Sequence, residues 1–262
     1  MAFYPVQGSS KDLLTGKTLV IPSVSLANLP QLAVDLLIHS LKLTRAGYIG
    51  LGDTVAPMIG ASQDGLVTGG LEVYAKEGLD LVVIQQRSPV LKDKKDEHVE
   101  LIKRFVEDIR PSFTLLLTSL DAANQDDQSL LTPHVSILPP SPSPTETSTP
   151  VHTNIRSVPS LPSFSNLRDT TATPYPPFIP GGGLSKRILI AFKSLESLPH
   201  GTIAAWCVEG DNRADAHALA ALVLRLSEAS QVEITEPREW EGLFGVVDGW
   251  SGGAGADAEI YG

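Results

Sequence analysis

Leu29, Leu32, Ala33, Leu36, Leu37 and Leu41 recur at steps of three and four residues, a spacing that gathers them on one stripe of a helix. The stretch "ANLPQLAVDLLIHSLKL" therefore predicts a helix with Asn28 as N-cap and Pro30 in the first turn, where its missing N–H costs nothing. A second stripe, Val99, Ile102, Phe105, Val106 and Ile109, runs through "DEHVELIKRFVEDI" with charged residues on its other side. Around these helices lie short runs that are apolar at every position: "KTLVIPSV" (17–24), "LDLVVIQQ" (79–86), "FTLLLTSL" (113–120) and "TIAAWCVEG" (202–210). Runs of that kind are strands buried between two helical layers, and the strand–helix–strand order over 79–120 is a crossover. Later, "FIPGGGLSKRILIAFKSL" reads as a glycine turn entering a helix. Residues 214–229 read as another helix, with Asp211 or Asn212 as cap and Asp215 in its first turn. "ITEPREWEGLFGVVDGW" predicts one more short helix.

The pattern breaks after Leu120. Of the 20 prolines, 11 lie between 133 and 177, mixed with serine and threonine, a composition that cannot bury enough apolar surface to offset its ordering entropy. Residues 122–177 are accordingly expected to form a largely disordered insertion within one domain spanning 1–250. Beyond Trp250 only small or acidic residues precede Ile260, so 251–262 is expected to be a flexible tail. Mean hydropathy is nonetheless +0.06, which points to an exposed apolar patch on the folded part.

Lys and Arg number 20 against 30 Asp and Glu, a formal charge of −10 that disfavours nucleic acid and anionic membrane surfaces as partners. Cys207 is the only cysteine, so no intrachain disulfide is possible. No apolar stretch approaches the roughly 18 residues needed to span a bilayer, and the first residues lack a leader's basic and apolar regions. A cytoplasmic and nuclear location is expected.

Candidate chemistry is sparse. "IPGGGLSK" resembles a phosphate loop, but Ser185 stands before Lys186 where the loop needs glycine, and Arg187 follows it. The favoured reading makes Gly181, Gly182 and Gly183 a tight turn. "GYIGLGDTV" has Val55 in place of the third glycine of a dinucleotide fingerprint and reads as a loop. No G-x-S-x-G elbow occurs, and the six histidines show no metal-type pairing. His39 and His217 fall in predicted helices as surface or boundary residues. "VEGDN" places Glu209, Gly210, Asp211 and Asn212 just after a buried strand, where an acid–base pair is conceivable; a capping role is favoured, because no nucleophile or metal ligand accompanies them. Cys207 sits in an apolar strand and reads as packed. No catalytic residue, metal or cofactor is expected. The ending Ile260-Tyr261-Gly262 differs in kind. An aliphatic chain, a phenol and a carboxylate on a Gly/Ala tether suit a pocket offering an apolar slot and a cation.

Several stretches together resemble the proteasome assembly chaperone 2 family: "LVIPSVSLANLPQLAVDLLI", "VAPMIG", "EVYA", "LVVIQQRSPV", "FIPGGGLSK" and "VEGDNRADAHAL". The resemblance covers roughly residues 16–120 and 178–229. It implies a three-layer α/β/α sandwich with a central, mostly parallel sheet. It also implies no catalysis, pairing with a related chaperone as a heterodimer, and docking on the outer face of the proteasome α-ring. Ile260, Tyr261 and Gly262 match that family's hydrophobic-Tyr-any ending, which enters pockets between α subunits. The competing expectation is a small-molecule enzyme of nucleoside-phosphorylase-like fold, against which stand the missing phosphate loop and nucleophile.

Overall fold

A computed structural model describes residues 2–61, 67–127, 129–140, 149–162, 175–195 and 197–240. In chain order its elements are β1 (Phe3–Pro5), β2 (Thr18–Pro22), α1 (Leu29–Ser40), β3 (Thr44–Ile49), β4 (Gly60–Ala61), β5 (Val67–Thr68), β6 (Leu71–Ala75), β7 (Leu81–Gln86), α2 (Lys95–Ile109), β8 (Phe113–Asp121), β9 (His134–Ile137), α3 (Pro150–Asn154), α4 (Gly183–Phe192), β10 (His200–Cys207) and α5 (Arg213–Leu226). Short 3-10 turns occupy Leu26–Asn28, Ile155–Ser157 and Arg238–Trp240 among others.

The four apolar runs are neighbours. Strands β7, β2, β8 and β10 pair in parallel at the centre of a sheet ordered β1-β3-β6-β7-β2-β8-β10-β9, and both flanks join antiparallel. Following the pairings, β2, β3, β7, β8 and β10 point one way and β1, β6 and β9 the other. Consecutive residues of a central strand enter different cores. Val20 packs with Val83, Leu115 and Ile203 under α1 and α5, while Leu19 and Ile21 pack with Ile84 and Leu116 under α2 and α4. Each such side chain stabilises the fold by roughly 1.5–3 kcal/mol when fully buried, so a polar residue on either face would be costly. This is the physical content of a run without alternation, and it yields the α/β/α layering that the resemblance implies.

Helix α2 buries Val99, Ile102, Phe105, Val106 and Ile109 as its spacing predicts. Its outer side carries the pairs Arg104–Glu100 (2.9 Å) and Lys103–Glu107 (3.8 Å). Helix α1 buries Leu29, Ala33, Val34, Leu36 and Leu37, but its start departs from expectation. Asn28 occupies the N-cap position with left-handed φ (+52°) and makes no side-chain cap, because a 3-10 turn with Ala27 also left-handed (+57°) swings the chain into the helix.

Two further corrections concern loops. Gly47, Tyr48 and Ile49 are not loop residues but the end of β3, with Phe3 opposite Ile49 and Glu72 opposite Tyr48. The insertion is also more ordered than its composition suggests. Val135 and Ile137 of β9 are buried beside β10 in the core under α2 and α4, while Val151, Ile155 and Val158 are buried in the core on the other face, under α1 and α5. Ser136 extends the layer: its N–H donates to Pro159 O (2.7 Å) and its carbonyl accepts from Leu161 N–H (2.9 Å). His152 stacks on Phe113 at 5.2 Å, and Asn154 Nδ2 donates to Leu226 O (3.0 Å). Prolines here punctuate short elements, and five apolar side chains suffice to pin them to a sheet edge that needs covering. Residues 141–148 and 163–174, the rest of the Pro/Ser/Thr-rich segment, lie outside the described residues. Of the last predicted helix only the turn Arg238–Trp240 is described.

Candidate functional site

At the carboxyl ends of the central strands, β2 leads into α1 on one face, and the first turn of α4 lies over the ends of β2 and β8 on the other. The crevice outside the carboxyl ends of the strands is where open α/β sheets bind ligands. Here hydroxyls fill it. Ser185, in the first turn of α4, lies 2.7 Å from Thr118 Oγ1 of β8 and donates to Ser23 Oγ (2.8 Å) just after β2. Beside them Ser119 Oγ donates to Leu26 O (2.7 Å), and Ser25 Oγ accepts from Ser119 N–H (3.0 Å). Ser23, Thr118, Ser119 and Ser185 are all buried. A nucleophilic serine needs a base within reach, whereas the partners of these four are hydroxyls, backbone carbonyls and the Cys207 thiol. Burial pushes that thiol up from its ordinary range, in keeping with a packed cysteine. The cluster joins α4, β2 and β8 across the edge of the sheet.

The glycine turn beside it is likewise occupied with itself. Gly181 has φ +67°, Gly182 N–H donates to Ile179 O (3.0 Å) and Gly183 N–H to Gly181 O (2.9 Å). Amides committed to backbone carbonyls cannot cradle a phosphate. Arg187 turns instead to Asp96 of α2. At the entry to α5 the two cap candidates, Asp211 and Asn212, divide the work. Asn212 stands at the N-cap position but donates from Nδ2 to Val208 O and Gly210 O (both 2.9 Å). Asp211 Oδ1 does the accepting, from Arg213 N–H at 3.1 Å, and its carboxylate pairs with the Arg213 guanidinium at 2.6 Å. Gly210 has φ +141°, and Glu209 is exposed.

An ionic array on the α1 side of β3, β6 and β7, buried at Glu72 and Arg45 and partly exposed at Asp35 and Arg87, escaped sequence reasoning. Glu72 of β6 is wholly buried, accepts from Tyr74 OH (2.9 Å) and Gly69 N–H (2.9 Å), and lies 3.3 Å from Arg45 Nε. Across the strand pair it faces Gln85, whose amide donates to Asp35 of α1. Asp35 also holds Arg87 through both oxygens (3.1 and 3.3 Å) and takes a hydrogen bond from the Trp240 indole. Burial raises the Asp35 carboxyl while Arg87 pulls it back, and burial with Glu72 nearby pushes the Tyr74 phenol up to about 12. The available signal was a charge inside an apolar run: Glu72 between Leu71 and Val73, and Asp35 between Val34 and Leu36.

His39 is exposed and His217 is half-buried with Nε2 3.0 Å from Glu236, in line with their reading as surface or boundary residues. Ile260, Tyr261 and Gly262 lie outside the described residues. The last described segment runs along α1, where Thr235 N–H donates to Ser40 Oγ (3.0 Å) and, five residues on, Trp240 reaches Asp35. The last described residues thus step from the end of α1 to its middle.

Comparison with known proteins bears on the whole of this architecture. The model of the PAC2 family matches residues 19–236. A protein of Danio rerio named proteasome assembly chaperone 2 is 32% identical over 252 residues, covering 91% of this chain and 95% of that protein. A Homo sapiens protein of the same name is 28% identical over 267 residues, covering 93% and 97%. Among solved structures, Pyrococcus furiosus PbaA, described as an archaeal homolog of proteasome-assembly chaperone, superposes with a TM-score of 0.56 at 14% identity, covering 84% of each chain.

Proposed function

The chain belongs to the PAC2 family, and from that premise we propose that it is a proteasome assembly chaperone, a non-catalytic protein that pairs with a related chaperone in the cytosol and nucleus. The pair docks on the outer face of the core-particle α-ring and promotes α-ring and core-particle assembly. The observation that carries this reading is the similarity to proteins so named, which extends over nine-tenths of both chains. The crevice at the carboxyl edge, closed by neutral hydroxyls, supports a role without catalysis. The ending Ile260-Tyr261-Gly262 supports a pocket between two α subunits as the tail's destination, the carboxylate pairing with a lysine and the phenol buried with its hydroxyl bonded. Affinity capture of the full chain followed by mass spectrometry tests it. Recovery of α subunits together with one PAC2-related protein is the expected result; capture of neither would sink the reading.

A further inference from the structure

Nine large hydrophobic side chains are exposed among the described residues: Leu51, Met58, Ile59, Val67, Leu130, Leu131, Phe178, Ile190 and Val208. The topology sends eight of them to one end of the molecule. Leu51 follows the end of β3, which points the same way as β2, β7, β8 and β10. Met58 and Ile59 follow Val55, which bridges Val90 just beyond the end of β7, and Val67 in β5 precedes the start of the oppositely directed β6. Leu130 and Leu131 precede β9, whose first residue pairs with Ala205 near the end of β10, and Val208 follows that end. Phe178 stands before the glycine turn that opens α4, whose first turn is bonded to Ser23 and Thr118. Only Ile190, on the outer side of α4, lies elsewhere. Isolated exposed apolar residues are ordinary, but eight of the nine line one end of the sheet, from the β3 flank to the β9 flank, and a bias of that kind marks this end as an interaction surface.

We infer that this carboxyl edge is the surface by which the folded body seats on the outer face of the proteasome α subunits. The inference rests on the α-ring being the target, as proposed above. The choice of occupant follows from the course of the chain. Thr235 is bonded to Ser40, the last residue of α1, and the Trp240 side chain to Asp35 in the middle of that helix, so the last described residues step along α1 in the direction of this same edge. The 22 residues from 241 to 262 can extend roughly 80 Å at most, so a body and an ending that engage one target are best served by leaving on the side where the body sits. Two weak contacts on one target reinforce each other through effective concentration.

The test titrates purified core particles with the full chain carrying Ile59→Lys or Leu131→Lys, at side chains 84% and 90% exposed, and with Ile190→Lys as the off-edge control. Unchanged melting temperatures establish that all three fold. Each edge variant is expected to weaken binding about tenfold, both with and without residues 260–262, while the control binds as the parent does. Edge variants that bind core particles like the parent, including any that instead lose the related chaperone, overturn this inference and leave the proposed function standing. A parent chain that does not bind core particles overturns both.

Discussion

Gly182 and Gly183 are neighbours with opposite tolerance for a side chain. A Cβ on Gly182 would sit 2.4 Å from Ile179 Cγ2 and 2.6 Å from Ile179 Cβ, and Ile179 is itself buried in the core. Gly182→Ala should cost about 1–3 kcal/mol. At Gly183, the first residue of α4, an added Cβ meets nothing within 4 Å, so Gly183→Ala should stabilise by about 0.5–1 kcal/mol. Denaturant midpoints that fail to move in opposite directions would contradict this account of the turn. His98 makes a second prediction at this scale. It is 1% exposed with Nδ1 3.1 Å from Thr54 Oγ1, and burial lowers its pKa from 6.5 to about 4. The unfolded chain therefore binds a proton that the folded one refuses. Its contribution to stability is present above pH 6.5 and is lost as pH falls toward 4, by up to about 3 kcal/mol. Burial also lowers His200 and His134, so His98→Gln should flatten the pH dependence of the urea midpoint only in part. No change in that slope would show that His98 does not titrate with folding.

Strand β9 and the turns that follow it decide how the Pro/Ser/Thr-rich segment behaves under deletion. Composition alone recommends removing 122–177 as harmless, but the removal would take away Val135, Ile137, Val151, Ile155 and Val158, which are buried against β10 and α5. Deleting 122–177 should therefore abolish cooperative melting or lower the melting temperature severely. Replacing 141–148 with a glycine–serine stretch of equal length should leave it nearly unchanged. Ile137→Ala alone should cost about 2–4 kcal/mol. A full deletion that melts like the parent would show that this edge of the sheet needs no cover. The opposite flank is held by charge. Glu72 and Arg45 join β6 to β3 with side chains 0% and 2% exposed, an arrangement that adds little net stability but is costly to half-remove and so resists slippage of register.

For the whole molecule, the proposed function has the body and the ending act on one target. Tyr261→Ala should weaken binding to core particles by about 2 kcal/mol, or about thirtyfold, the lower edge of a hot spot. Appending residues after Gly262 should do the same by displacing the carboxylate. Both effects should shrink when the related chaperone is present, since its contacts hold the ending at high local concentration. Titrations in which both variants match the parent would remove the ending from the binding site while leaving the edge of the body to be judged separately.

The central strands and the helices over them were legible because burial on both faces forces uninterrupted apolar runs, and burial on one face forces the 3.6-residue stripe of α2. Membership in a family was legible for a related reason: turns such as "FIPGGGLSK" and "VEGDN" admit few residue types where Gly181 and Gly210 must take positive φ. Strands β3, β6 and β9 were not legible. Their side chains include Arg45, Glu72 and Ser136, polar groups whose suitability for burial depends on partners distant in the chain: Glu72 for Arg45, and the Val158 carbonyl for the Ser136 hydroxyl. Periodicity reports what a segment does to water, and that is a local property. Whether a buried charge or hydroxyl is satisfied depends on what folding brings within 3 Å of it, and only the tertiary structure decides that.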